Sequence, residues 1–502
     1  MNIYINKSIR NTGKFAMVFA LLFSSIGCED NLETKVFSEI SPETFFQSEA
    51  DFNAAVVGLY SPFGTDWGSE DVGNGVWYNN LFNANVAAYY VRGELVTDEM
   101  EPDAPGDWEL FNWAQSTFGD DVVYAKIRNV AKATTTIQNM MASDAVPEAI
   151  KNRYIAEAKT MRAWTMYVLY DFYGPVNAKW DPETLTSSEV LPRPTDAEYT
   201  AQIEKDLTEA IPDLDDRYNG SETQWGRASK GLARMVLLKF YMHTKQWANA
   251  ETMARDIMGM GYSLMDNYEE VFIEERNNEI IYAVDCSLST EARNWYPQHL
   301  FPSDYASSPV VTRGAGWYTY RMPWDFYDTF ESGDERTSTI ISSYTNTSDG
   351  DTNRDNGLSG PIPVKYTGIS GPGPEYAVDW VVYRYADVLL SLAEIINELN
   401  SGPTTEAYDL VGQVRARAGL NNFTAGMTQS QFRDALLAER GRELYSEGVR
   451  RQDLIRHGKF IEYAQDRGLD AQPFHVLYPI PNNAILEGGG GDGGVVAQND
   501  GY

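Results

Sequence analysis

The stretch GLARMVLLKFYMHTKQWANAETMARDIMG, residues 231–259, reads as two helices folded back across a short polar turn. Apolar residues recur at helical spacing through Met242, residues 243–246 are polar, and Trp247, Ala250, Ala254 and Ile257 then fall on one face of a return helix. The small residues on that face allow close approach of the paired helix, the pattern of a tetratricopeptide-type hairpin. Each hairpin is apolar on one side and therefore needs neighbours.

Working outward, YADVLLSLAEIINELNSGPTTEAYDLVGQVRARAG (385–419) forms a second such pattern, with its turn at Gly402 and Pro403. In EAKTMRAWTMYVLYDFYG (157–174), Ala158, Met161, Ala163 and Tyr167 mark another packing face. The periodicity predicts helices over 43–60, 121–142, 148–172, 196–210, 228–244, 247–259, 381–400, 404–418, 429–446 and 451–465. Strand signals are sparse: residues 278–287 carry the best one, and 473–481 read as extended between prolines. The fold class is mainly α, a scaffold of degenerate tetratricopeptide-like helix hairpins with long irregular loops and minor β.

The chain starts with Lys7, Arg10 and Lys14, an apolar run over 15–23, and then the small or neutral residues Ser24, Ser25, Ile26 and Gly27 before Cys28. That is the layout of a secretory signal peptide, too short in its apolar part to span a bilayer. Ile26-Gly27-Cys28 resembles the bacterial lipobox, in which the cysteine becomes the lipidated first residue, although Ser25 stands where that pattern prefers Leu. The alternative is an ordinary signal peptide with an incidental Cys28. The only other cysteine, Cys286, would then lack a disulfide partner once Cys28 is acylated. The net charge of −32 repels nucleic acid and other polyanions, so neutral ligands are the expectation.

Two segments differ from the helices. Residues 61–120 carry Trp67, Trp77, Tyr78, Tyr89, Tyr90, Trp108 and Trp113 among Gly, Asn and Asp, and residues 288–330 carry Trp295, Tyr296, Trp317, Tyr318, Tyr320, Trp324 and Tyr327. Sugar rings present C–H faces that stack on aromatic rings, while their hydroxyls bond to amide and carboxylate side chains. Trp67, Trp77, Tyr78, Asn79, Asn80, Trp108, Trp295, Tyr296, Trp317 and Tyr318 are therefore the candidate ligand contacts. The competing reading is loop core, which is the better one for any single ring.

Catalytic patterns are poorly represented. The four histidines, His243, His299, His457 and His475, lie far apart, and no HExxH, GxSxG or phosphate-binding loop occurs. The 72 acidic residues offer many carboxylate pairs, so a glycoside hydrolase stays open as an alternative. In AERGRELYSEGVRRQDLIR (438–456) arginines interleave with Glu439, Glu443, Glu447 and Asp453 at three- and four-residue spacing, which predicts same-face ion pairs of a scaffold. In SDGDTNRDNG (348–357), Asp349, Asp351, Asn353 and Asp355 alternate as calcium ligands do in a loop, but Arg354 takes the place of the glycine such a loop needs. A polar surface turn is the bland reading there, and no other cofactor is indicated.

The order of motifs resembles the SusD/RagB-like family of surface glycan-binding lipoproteins. The residues that carry the resemblance are Cys28 with its acidic followers; VRGELVTDE (91–99); residues 157–176; IEKDLTEAIPDL (203–214); residues 226–258; NEIIYAV (278–284); VVYRYADVLLSLAEIINE (381–398); residues 438–456; and a C-terminus with YPIPNNAI and QNDGY. YRYADVLL and ERGRELYSEG are specific in combination. The resemblance implies a tetratricopeptide-like helical fold and lipid anchorage on the outer membrane, facing the exterior. It also implies no catalysis, and capture of oligo- or polysaccharide for delivery to a SusC-like TonB-dependent transporter. Some members bind peptides, so a peptide-binding or structural lid is a further alternative. The implied organisation is a signal peptide over 1–27, a tether over 28–40, and one domain over 41–502 whose aromatic loops (61–120 and 288–330) hold the ligand.

Overall fold

The computed structural model describes residues 45–65, 80–118, 121–287, 293–311, 316–366, 377–490 and 494–502. Cys28, with the leader and tether, lies outside them. Within the unit Gln47–Tyr502, the longer helices are α1 (Glu49–Val57), α2 (Tyr89–Leu95), α3 (Ile127–Ala142), α4 (Glu148–Tyr173), α5 (Asp196–Ala210), α6 (Lys230–His243), α7 (Trp247–Met258), α8 (Tyr385–Leu399), α9 (Thr405–Arg417), α10 (Gln429–Leu444), α11 (Arg450–Arg456) and α12 (Phe460–Asp466). Local chemistry sets their ends. Ser229 caps α6 by accepting from Leu232 N, and Thr195 with Glu198 and Thr428 with Gln431 form capping boxes at α5 and α10.

The helices pack in chain-order pairs: α3 on α4, α4 on α5, α6 on α7, and α8 on both α9 and α10. Ala250, Ala254 and Ile257 of α7 are fully buried, as their spacing predicts. Helix α8 lies at the centre, touching α7, α9 and α10. Its Val388, Leu389, Leu390, Leu392 and Ile395 are all buried, and each such side chain contributes about 1.5–3 kcal/mol of transfer free energy. Among the described residues no helix is long and apolar enough to cross a membrane.

The strands are β1 (Glu101–Pro102), β2 (Ile280–Val284), β3 (Tyr305–Ser307), β4 (Tyr320–Arg321), β5 (Ile340–Ile341), β6 (Ser343–Asn346), β7 (Asp351–Asn353), β8 (Ile362–Pro363) and β9 (Trp380–Arg384). They make four small antiparallel sheets, β1-β4, β2-β9, β3-β6-β7 and β5-β8. The helix expected over 381–400 therefore begins only at Tyr385: the β-branched and aromatic run WVVYR pairs with β2, from Ile280 opposite Arg384 to Val284 opposite Trp380. The helix expected over 451–465 is two, α11 and α12, because Gly458 turns the chain at φ +71° between them. The expected extended run 473–481 opens with a 3-10 turn at Pro473–Val476.

The arginine-rich stretch 438–456 is scaffold, but most of its ion pairs join different elements and are buried. Arg384, at the β9–α8 junction, donates to Glu279 (2.9 Å), Glu443 (2.6 Å) and both oxygens of Glu447 (2.7 Å). Arg336 reaches Asp334 (2.7 Å), Glu439 (2.7 Å) and Glu443 (3.1 Å). Arg417 bonds Glu279 and Glu443, Arg415 bonds Glu439 and Glu331, and Lys365 bonds Glu447. Burial pushes Glu439 up, and Arg336, Arg442 and Arg415 outweigh that effect and hold it at about 2. Burial likewise pulls the Lys365 ammonium down to about 8 despite Glu447. Two same-helix pairs occur in this stretch, Arg442–Glu439 and Arg456–Asp453.

Glu443 is the shared acceptor, so Glu443→Ala leaves three guanidinium groups with a missing partner. The expected loss is about 3–5 kcal/mol by urea denaturation, with Glu443→Gln intermediate; a loss under about 1 kcal/mol, the scale of an exposed pair, would show the network to be dispensable. A second expectation concerns pH. Glu94 and Glu99 are both buried. Burial first, then the Glu94 charge, push Glu99 well above the usual carboxylate range, although Arg450 opposes them. The folded chain thus keeps a proton that the unfolded chain releases near pH ~4.3, and stability falls by about 1.4 kcal/mol per pH unit as pH rises from there through the folded pKa. Glu99→Gln, which keeps a donor, should flatten that decline in urea unfolding measured across pH; an unchanged slope would assign it elsewhere.

Candidate functional site: an aromatic cleft between two loops

The two aromatic segments meet. Strand β1 of the first pairs with β4 of the second, Glu101 opposite Arg321 and Pro102 opposite Tyr320. Asp103 N continues the ladder to Thr319 O at 2.9 Å, and Arg321 clamps it by bonding Glu101 (2.7 Å) and Asp103 (2.9 Å). Beside this ladder opens a cleft of about 480 Å³, lined by Asp103, Asp107, Trp108, Glu109, Trp317 and Tyr318 among others.

Trp317 is 51% exposed, and its ring is held in place from behind. Trp295 stacks parallel to it (centroids 6.0 Å, 13°), and His299 meets it edge-on at 4.8 Å. His299 in turn stacks on Tyr320 at 5.2 Å, and burial lowers its pKa to about 4, so the ring is neutral at physiological pH. The backbone of residues 317–319 lies against residues 298–301, through Trp317 N to Gln298 O (2.9 Å), Tyr318 N to Phe301 O (2.9 Å) and Thr319 N to His299 O (2.7 Å). Gly316 allows this approach: a Cβ there would sit 2.4 Å from Phe301 O and 2.5 Å from Gln298 O.

Trp108 is half-buried and is supported by the Arg92 guanidinium, 4.3 Å from its ring centroid. Arg92 is itself buried against Asp121 at 2.7 Å. Tyr318 turns through φ +48° and donates its hydroxyl to Gly360 O at 2.9 Å. The cleft therefore offers aromatic faces beside carboxylates and hydroxyls, which suits a polyol with apolar ring faces.

Residues 360–502 match the SusD family. SusD-like protein P25 of Formosa agariphila is 28% identical, over 96% of this chain and 98% of its own. The starch-binding protein SusD of Bacteroides thetaiotaomicron is 22% identical, over 99% of each chain. Over nearly its whole length the chain is similar to SusD-like proteins. Among solved structures, surface glycan-binding protein A from Bacteroides fluxus superposes with a TM-score of 0.72 at 21% identity, covering 91% of this chain and 100% of its own. A laminarin-binding SusD-like protein superposes at 0.70, also with 21% identity and the same coverage. These likenesses establish the helical, tetratricopeptide-like SusD fold.

Of the candidate contacts, Trp108, Trp317 and Tyr318 line the cleft and Trp295 backs it. Trp67, Trp77, Tyr78 and Asn79 lie outside the described residues. Tyr296 and Asn80 belong instead to the interior, at 1% and 5% exposure. Tyr296 packs against Trp380 (5.3 Å) and Tyr90 (6.1 Å), because the short helix Tyr296–Leu300 turns that ring inward. Asp103, Asp107 and Glu109 line the cleft without any motif in the sequence marking them. Their only signal was acidity within an aromatic loop, and that signal recurs throughout the chain.

The candidate calcium ligands Asp349, Asp351, Asn353 and Asp355 lie in and just after a β-hairpin. Strands β6 and β7 form a hairpin there, with Asp349 in the turn at φ +59° and Asp351 and Asn353 in the strand. Asn353 Oδ1 is occupied by Asp355 N (3.0 Å), and Arg354 pairs with Asp328 (2.9 Å). No group of three or more acidic, His or Cys side chains able to hold a metal occurs among the described residues.

The cleft depends on Gly316. Gly316→Ala should displace Trp317 from Trp295, seen as a reduced near-UV circular dichroism signal, and cost about 1–3 kcal/mol of stability. An unaltered spectrum and midpoint would mean that the neighbouring backbone yields freely.

Proposed function

We propose that this protein is a non-catalytic cell-surface receptor that captures oligo- or polysaccharide in the cleft between β1 and β4 and passes it to a SusC-like TonB-dependent transporter. One observation carries the reading: segments more than two hundred residues apart converge so that a half-exposed tryptophan and a second tryptophan flank carboxylates in one cleft. Flat apolar faces beside hydrogen-bond acceptors match the two sides of a pyranose ring. Relatives named for binding starch and laminarin support saccharide as the class. In this reading Cys28 carries the lipid anchor, residues 28–40 are the leash, and the protein faces the cell exterior from the outer membrane. Acyl chains contribute about 0.8 kcal/mol per buried CH₂, and two chains hold a protein stably on a bilayer. The family resemblance supports the partner, and the lipobox-like sequence supports the anchor.

A glycan array probed with protein truncated after Cys28 tests the cleft. Trp317→Ala and Trp108→Ala should each weaken retention roughly tenfold, equivalent to about 1.4 kcal/mol, with unfolding midpoints maintained. Undiminished binding by the double variant would remove the cleft from consideration, and sugar release by the purified protein would make it a hydrolase instead. Retention of peptides but no glycan would favour the peptide-binding alternative. For the anchor, full-length Cys28→Ala expressed without the transporter should leave the membrane fraction; continued retention there refutes acylation as the tether.

A further inference from the structure

A second cavity lies on the helical scaffold. It measures about 730 Å³ and opens between α3, α4 and α5, beneath the segment Trp180-Asp181-Pro182. Its floor is built from buried polar side chains whose mutual bonds hold them rigid. Arg162 donates to both oxygens of Asp206 at 2.7 Å, and its remaining nitrogen reaches Thr134 Oγ1 (3.0 Å) and Trp180 O (3.3 Å). Thr134 donates onward to Lys179 O at 3.0 Å, so the floor also fixes the backbone that carries Trp180.

The walls combine two chemistries. Trp180 is half-buried, standing edge-on to Tyr199 at 5.6 Å, and Met141 on the facing helix is 63% exposed. Gln138, Gln202 and Lys205 stand at the rim with Asp181, so amide and ammonium donors and a carboxylate acceptor surround an apolar face. The first cleft has aromatic faces with carboxylates; this cavity has an aromatic face with donors as well. A small ion would leave the Trp180 and Met141 surface uncovered. A ring with hydroxyls uses both chemistries.

We propose that this α3–α4–α5 cavity is a second saccharide site, with Trp180 as its stacking platform. It extends the receptor reading but does not depend on the first cleft being correct. Two sites on one chain strengthen retention on a polymer that reaches both, through effective concentration, while leaving the affinity for a short oligomer at either site unchanged.

The test is affinity electrophoresis through gels containing soluble α-glucan, mixed-linkage β-glucan, xylan, pectate or a sulfated galactan. The proteins compared are the unmodified chain, Trp180→Ala, Trp108→Ala with Trp317→Ala, and the triple variant. On at least one polymer, Trp180→Ala should weaken retention roughly tenfold, the scale of one lost stacking contact of about 1.4 kcal/mol, and the cleft double variant should keep residual retention that the triple variant loses. Gln138→Trp fills the cavity without removing the packing of Trp180 on Tyr199, and should reproduce the loss. If Trp180→Ala and Gln138→Trp both match the unmodified chain on every polymer, the second site is refuted whatever the cleft variants do. If only the cleft double variant is without effect, the cleft assignment fails and the second site stands. Failure of the unmodified chain to be retained by any of the five polymers overturns both.

Discussion

Arg384 has no access to solvent and carries a charge that a protein interior cannot neutralise by deprotonation. Its three carboxylate partners come from the approach to β2, from α10 and from the turn after α10. The guanidinium is compensated only when those elements are assembled around the β9–α8 junction, and Glu443 extends the same demand to Arg336 and Arg417. Buried pairs of this kind add little net stability over an apolar packing but penalise arrangements that leave a charge alone. Here that penalty selects one docking of α8, α9 and α10, the helices against which the remainder of the C-terminal half is placed.

The irregular segments are tied to this frame by backbone and aromatic contacts. Tyr90 donates to Ser446 O, and Gly448 N bonds Glu94, so the turn after α10 grips α2. Tyr320 donates to Ala84 O at 3.0 Å, which joins the second aromatic segment to the first. Phe63 stacks on Trp164 at 4.2 Å, seating the start of the first segment on α4. Most loop rings are therefore structural, and the exposed Trp317 is held by those that are buried. A ring fixed in this way loses little rotational freedom when a ligand stacks on it, which lowers the entropic cost of binding.

Much of the scaffold was legible. The hairpins at 231–259 and 385–419 and the long α4 follow from local periodicity, because a helix face exposed to one neighbour imposes a 3.6-residue repeat, and β2 follows from its β-branched and aromatic residues. The misread part of 381–400 shows the limit: a short apolar run preceding a helix has no periodicity of its own, and pairing with β2, about a hundred residues earlier, decided its state. In the site, Trp108, Trp317 and Tyr318 were legible as chemistry. Their meeting was not, since a two-residue ladder between β1 and β4 leaves no pattern in either segment. Tyr296 and Trp317 look alike in sequence, and only the inward turn of a five-residue helix separates core from cleft.

The sequence by itself determined the helical class, the hairpin pairing and the pool of aromatic residues from which a site could be drawn, because helical periodicity and side-chain type are local properties. Tertiary structure decided the rest. It set which rings face solvent, gave Asp103, Asp107 and Glu109 their place beside Trp317, and made the arginine-rich stretch 438–456 a buried network between elements where same-face pairs along a helix were expected. The physical reason is common to all three: burial and charge compensation depend on what arrives from distant parts of the chain, and an isolated segment does not carry that information.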